Sequence, residues 1–344
     1  MIMECRLKEQ GFRRGACLVK VRGRKEAACK ATLRWIDGVP QRLIKSMHLS
    51  RPEHYFSIYQ SGCNLSCRKC HSWYFSQIAD GEWLSPEDVA LAVRRYVEEY
   101  RIYKEPKERV TAFHATDLCK ACGSCVLRGE RSLLCPSVLS LEYIELSEQG
   151  WGPARNIAAF TGGDIACCPE FYGMTADAIK ELCPGVWVLL ETNGYGLTPQ
   201  NLEYLQHRID AFWLDIKAYD DKVHKKLTGV SNKRILELPA EIVDRGFVLE
   251  VLTLYIPGWV ETDQIRRIAE LLAEVDPKIP FTILAFFPEY KMRDVPPPTL
   301  AQMLEAFRAA RDCGLKNIKL GNVGVFARTK EELDALIAEA GSNF

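Results

Sequence analysis

Seven short apolar runs, rich in β-branched and aromatic residues, alternate with segments of helical period from residue 54 to residue 323. The runs are HYFSIYQS (54–61), NIAAFTG (156–162), VWVLLET (186–192), DAFWLDIKA (210–218), FVLEVLTLYI (247–256), FTILAFF (281–287) and NIKLGNV (317–323). Between them lie SPEDVALAVRRYVEEYRIY, MTADAIKELC, TPQNLEYLQHR, NKRILELPAEIVDRG, ETDQIRRIAELLAEV and TLAQMLEAFRAARDCG. Several of these open on a Ser, Thr or Asn suited to capping, or carry acidic first turns. Strand–helix alternation of this length predicts right-handed βαβ units around a parallel sheet. In a parallel barrel the chemistry sits at the C-terminal ends of the strands.

Two stretches interrupt the alternation. Residues 1–50 carry basic patches and the short β-like stretch ACLVKVRGRKEAACKATLRWI, and are expected as an N-terminal extension. Residues 105–150 are expected as an insertion within a body running over 51–328, and TKEELDALIAEAG gives a closing helix within 329–344. No internal repeat or low-complexity tract is present.

The 344 residues carry no net formal charge and are 47% hydrophobic, enough for one large α/β barrel or two ordinary domains. Zero net charge argues against a nucleic-acid partner held by bulk electrostatics. The N-terminal run has no apolar h-region, and no stretch of about 18 apolar residues occurs, so the expectation is a cytoplasmic protein without a membrane partner. Fourteen cysteines in such a chain point to metal or redox chemistry rather than to disulfides.

Seven of the fourteen fall in two groups. Cys63, Cys67 and Cys70, in GCNLSCRKC, directly follow the first apolar run. Three thiolates in one tight loop suit a [4Fe-4S] cube with one iron free of protein ligands, open to a small chelating molecule. A zinc knuckle or three buried thiols are the alternatives. Later strand ends carry Thr161-Gly162-Gly163-Asp164, Glu191-Thr192-Asn193-Gly194, Asp215-Ile216-Lys217 and Tyr255-Ile256-Pro257-Gly258. The paired glycines permit close approach to the backbone, and the carboxylate of Asp164 can accept from an ammonium. Each motif alone is more often structural; their succession at consecutive strand ends is the signal.

Together, SIYQSGCNLSCRKCHSWYFSQ, TGGD, ETNG, DIKAYD and the later LEVLTLYIPG, IPFTILAFFPEYKMRD and GLKNIKLGNVG resemble the radical S-adenosylmethionine (SAM) superfamily, across roughly 54–325. The nearest groups are the pyruvate formate-lyase activating enzymes and the AmmeMemoRadiSam proteins. The resemblance implies a partial (β/α)6 barrel of TIM type. It implies that Cys63, Cys67 and Cys70 are the catalytic cluster ligands and that SAM binds the open iron. Gly162, Gly163 and Asp164 would hold the methionyl amino group. Thr192 and Asn193, with Asp215 and Lys217, would contact the ribose and carboxylate. Two positions depart from the pattern. Lys69 stands where an aromatic usually precedes the third cysteine, with Trp73 or Tyr74 as the nearest replacements in sequence, and Asp164 replaces the usual glutamate.

The second group, Cys119-x2-Cys122-x2-Cys125-x9-Cys135-Pro136, resembles a ferredoxin motif with a stretched last spacing. Four thiolates suit a [4Fe-4S] cube, a single iron or zinc; the spacing favours a cube as a second, auxiliary cluster. Cys167 and Cys168 are the alternative ligands should Cys135 not serve. Cys5, Cys17 and Cys29, spaced by twelve, read as buried thiols. The expected activity is reductive cleavage of SAM to a 5'-deoxyadenosyl radical that abstracts hydrogen from a protein or peptide carbon, in the manner of a glycyl-radical activase. A low-potential donor of ferredoxin or flavodoxin type would supply electrons. The alternatives are a cobalamin-dependent radical C-methyltransferase acting on a protein residue and, in another class, a non-catalytic iron–sulfur electron carrier.

Overall fold

The structure, a computed structural model, describes residues 5–344; the first four residues of the extension expected over 1–50 lie outside the described residues. The chain forms two compact units. One comprises residues up to 64 together with 72–192 and 196–213; the other comprises 65–71, 193–195 and 214–344.

The first unit begins with two antiparallel pairings, Leu18–Val21 with Arg24–Ala27 and Leu33–Ile36 with Val39–Leu49. Their connections, Arg22-Gly23 and Asp37-Gly38, lie at positive φ, the two-residue turn whose twist matches that of its strands. The β-like stretch expected here is broken by a helical turn, Ala28–Thr32, where ACKAT places two alanines and a lysine in sequence. Val39–Leu49 then runs antiparallel to Phe56–Gln60, which pairs in parallel with Ile157–Gly162, itself parallel to Trp187–Thr192. Ala158, Ala159, Phe160, Leu189 and Leu190 are fully buried, as befits parallel strands covered on both faces. The helix Pro86–Glu99, started by a Ser85/Asp88 capping box, packs on the helix Glu170–Leu182.

In the second unit Val248–Tyr255, Phe281–Ala285 and Ile318–Gly321 pair in parallel, and Ile216 N–H donates to Leu252 O at 3.0 Å. The helices Lys233–Asp244, Thr262–Val275, Leu300–Asp312 and Lys330–Ala340 alternate with these strands as the sequence predicts. Asp221–Thr228 is a further helix that periodicity did not single out; its Asp220 cap accepts from Lys222 and Val223 N–H. The α/β class with parallel strands therefore holds in both units. Among the described residues no helix is long and apolar enough to cross a membrane.

The stretch 105–150 is made of short pieces around a small core of Leu118, Cys119 and Leu139. Arg155, with no exposed surface, ties this stretch to the strand that follows. Its guanidinium donates to Glu53 O, Thr111 O and Arg109 O at 3.1, 2.9 and 2.6 Å and lies 3.3 Å from the buried Glu105 carboxylate. Removing one partner of a buried ion pair leaves the other uncompensated, a cost of about 3–5 kcal/mol. Glu105→Ala is therefore expected to lower unfolding stability by about that amount in a denaturant titration. A loss within about 0.5 kcal/mol, typical of surface positions, would deny the pair its structural role.

Candidate active site

In the first unit the cysteine loop leaves the Phe56–Gln60 strand through Ser61, whose hydroxyl donates to Phe75 O at 2.9 Å and accepts from Asp80 N–H at 3.0 Å. Gly62 and Cys63 follow, and Asn64 N–H donates to Asp164 O at 2.8 Å. Gly163 donates to Gln60 O at 2.8 Å. A Cβ on Gly163 would stand 2.3 Å from Gly62 O, so no other residue fits between these two loops without displacing backbone. This is a structural reason for the glycine, beyond the access for a ligand that the sequence suggested.

Asp164 is buried, and its carboxylate is held from two sides. Oδ1 accepts from Ala166 N–H and Oδ2 from the Thr192 hydroxyl, both at 2.7 Å. Thr192 thus acts on Asp164, a coupling that neither motif predicts alone. Beside it, Glu191 accepts from Tyr55 and Thr161 hydroxyls.

In the second unit the loop residues Ser66 and Arg68 donate to Thr228 O and Leu227 O, and Lys291 N–H donates to Arg68 O. Lys69, the departure noted in the sequence, is 7% exposed. Its ammonium lies 2.5 Å from Glu289 Oε2 and 3.6 Å from the centre of the Phe287 ring. His71 Nδ1 also reaches Glu289, at 3.1 Å. Burial lowers the pKa of Lys69, and the charges of Glu289 and Cys70 offset only part of that. Trp73 and Tyr74 instead contact each other edge to face in the first unit, with Tyr74 half exposed. Nothing in the sequence links positions 69, 287 and 289.

Asp215 and Lys217 form a direct ion pair. Burial would lower the Lys217 ammonium, but Asp215, together with the Cys67 and Cys70 thiols, outweighs it and raises the pKa. The other Asp215 oxygen, Oδ1, is buried without a hydrogen-bond partner. Asn193 Oδ1 accepts from Tyr195 N–H at 3.0 Å. Tyr255 and Ile256 are buried, and Ile256 turns back to bond Val260.

Cys119, Cys122, Cys125 and Cys135 line one pocket, alongside Lys120, Arg131 and Ser132. The Cys122 thiol is pushed down by its hydrogen bond to Ser132. Burial pushes Cys135 up, but Arg131 and Ser137 more than offset it, while burial raises Cys119. Lowered thiols favour the thiolate that binds metal. Cys167 and Cys168 lie elsewhere: Cys168 is hydrogen-bonded to both Cys167 and Cys29. Cys5, Cys17 and Cys29 are half-buried rather than buried. Among the described residues no three His, Cys, Asp or Glu side chains are gathered as a metal ion would hold them.

His54 Nε2 pairs with Cys119 O at 3.0 Å, fastening the pocket's first cysteine. Burial drives the His54 pKa down to about 3. The unfolded chain, near 6.5, therefore binds the proton first. Stability from the neutral His54 is fully present above about pH 6.5 and is lost as the pH falls toward about 3, at up to about 1.4 kcal/mol per pH unit. Urea unfolding at about pH 7, 6 and 5 is expected to show this slope, and His54→Gln to flatten it. Equal slopes would place the titration elsewhere.

Comparison with known proteins adds a family likeness. Residues 136–272 match the radical SAM superfamily. A provisionally named glycyl-radical enzyme activating enzyme of Methanocaldococcus jannaschii is 35% identical over 106 residues, 30% of this chain and 40% of that protein. Pyruvate formate-lyase 1-activating enzyme of Escherichia coli K12 is 26% identical over 151 residues, 40% of this chain and 61% of that protein. Isethionate sulfite-lyase activating enzyme of Oleidesulfovibrio alaskensis is 39% identical over 90 residues, 25% of this chain and 29% of that protein. The chain spans less than two thirds of each of these relatives. Over residues 136–272 the chain matches the radical SAM superfamily, in keeping with the α/β fold class expected from the alternation. The matched range begins after Cys70 and does not include the cysteine triplet.

Proposed function

We propose, from the match of residues 136–272 to the radical SAM superfamily, that Cys63, Cys67 and Cys70 hold a [4Fe-4S] cluster and that the protein uses SAM to abstract hydrogen from a carbon of a protein or peptide. The reading is that of an activase for a glycyl-radical enzyme, supported by the three activating-enzyme relatives. One observation carries it. The backbone after Cys63 is bonded to Asp164, and Gly163 is pressed on the carbonyl before Cys63, so cluster loop and TGGD turn form one piece of structure.

The residues suit the cofactors by their chemistry. Three thiols lie within eight positions of one loop, Lys217 sits near enough to Cys67 and Cys70 to be raised by them, and Asp215 Oδ1 is buried without a partner. A cluster held by Cys63, Cys67 and Cys70 would supply the one electron whose addition breaks the C5'–sulfur bond of SAM, releasing methionine, and hydrogen abstraction would follow. The chain's own part is orientation and exclusion of water. Asp164, fixed by Thr192, would receive the methionyl ammonium; Lys217 would receive the carboxylate; Asn193 would meet the ribose. Cys119, Cys122, Cys125 and Cys135 would hold an auxiliary [4Fe-4S] cluster, fed by a ferredoxin or flavodoxin. Cysteines outside disulfides fit a cytoplasmic setting.

Anaerobically reconstituted protein given SAM and dithionite is expected to release 5'-deoxyadenosine, and Cys67→Ala to reduce release to background. Iron should be about eight per chain, falling to about four when Cys122 and Cys125 become Ser. Fully loaded protein that forms no 5'-deoxyadenosine would overturn the enzyme reading. A cobalamin spectrum in protein made with the vitamin would move the substrate reading to methylation.

A further inference from the structure

Arg42 lies in the Val39–Leu49 strand with no exposed surface. Its hydrogen bonds go to neutral oxygens: Thr32 O at 3.1 Å, the Thr32 hydroxyl, and Gly62 O at 3.3 Å. Its Nε is buried without a partner. Arginine stays charged at any working pH, and an ion buried this deeply needs a counter-charge to repay its lost hydration. Asp164 is a nearby acid, since it and Arg42 both act on the buried Tyr172 hydroxyl. Its carboxylate, however, is hydrogen-bonded to Ala166 and Thr192 rather than to Arg42. The guanidinium is therefore aimed at the peptide immediately before Cys63 without a carboxylate of its own.

The surroundings repeat this pattern. Thr32, which takes two of the Arg42 bonds, fills the space where a Gly62 side chain would stand, 2.7 Å from that Cβ position. Gly15 backs Asn64 closely as well: a Cβ at Gly15 would stand 2.4 Å from Asn64 O. The N-terminal extension, which the proposed reaction leaves without a role, thus backs the cluster loop at residues 62 and 64. Gln60 lies on the same face as Arg42, because Ile44 pairs with Gln60 and residues two apart share a face. Both polar atoms of its buried amide also lack partners.

We infer that Arg42 is the buried counter-charge of the cluster held at Cys63, and that it sets the cluster's reduction potential. This rests on the cluster reading given above. Each electron added to a thiolate-bound cluster increases its negative charge, and a fixed cation close by stabilises the reduced form more than the oxidised one. Arg42 accordingly raises the midpoint potential and makes reduction by a biological donor easier. Because the group is buried, the effect is screened little by salt.

The test is a potentiometric titration of reconstituted protein, following the EPR signal that changes when SAM is added. For Arg42→Gln we expect the reduced-to-oxidised ratio at a fixed potential to fall about tenfold, which for one electron is a shift of about 59 mV to lower potential. Arg42→Lys, which keeps the charge, should stay within about twofold of the parent. A Gln variant with full iron and the parent potential would overturn the inference, and so would equal shifts in Gln and Lys variants. Should Arg42→Gln fail to fold, Gln60→Glu carries the test, because it sets a carboxylate on the same buried face. It should lower the potential, and an unchanged value would overturn the inference. Parent protein with no SAM-responsive signal would instead remove the cluster reading, and this inference with it.

Discussion

The contact between Gly163 and the Gly62 carbonyl governs the candidate site residues of the first unit. Two parallel strands, Phe56–Gln60 and Ile157–Gly162, end at the same level, and their loops must cross with almost no room between them. The crossing is possible because Gly163 has no side chain and because Asn64 and Asp164 exchange a backbone bond across it. Once it is made, Cys63 and the Asp164 carboxylate have no independent freedom. A site in which a thiolate and a carboxylate must keep a fixed separation gains more from such a crossing than from any pair of side chains, because backbone contacts carry no rotamer entropy.

Electrostatics follows the same economy in both units. The acids and bases of the candidate site pair locally. Asp164 is satisfied by a neutral hydroxyl and an amide, Asp215 by Lys217, and Glu289 by Lys69 and His71. Charges so arranged add little net attraction but hold one orientation, which is what a pre-organised site needs. Arg42 breaks the rule, as do Asp215 Oδ1 and the Gln60 amide, and buried breaks of this kind are where function is best sought.

Much of this was legible in the sequence because it is local. Strand ends, capping residues and the cysteine spacings are written in short windows, and the four thiols of 119–135 line one pocket as their spacing suggests. What escaped is long-range. Lys69 could be flagged as unusual from its neighbours alone, yet its partners Phe287 and Glu289 lie more than two hundred positions away. The bond from Thr192 to Asp164 joins two strands, so neither motif shows it alone. Cys29 and Cys168 belong to different motifs, and no periodicity relates them. Arg42 sits in a segment whose pattern reads simply as basic.

The anchoring of the insertion by Arg155 has a mechanical meaning. Arg155 precedes a strand of six residues that ends at Gly162, a rigid rod of about 20 Å. At one end two hydrogen bonds and an ion pair from Arg155 grip the 105–117 stretch; at the other, Gly162 leads into Gly163 and Asp164. A strand bonded on both sides does not bend easily, so it acts as a strut: tension or displacement in the cysteine-bearing insertion is borne along its length, and the insertion cannot be pulled away without loading the turn that holds Asp164.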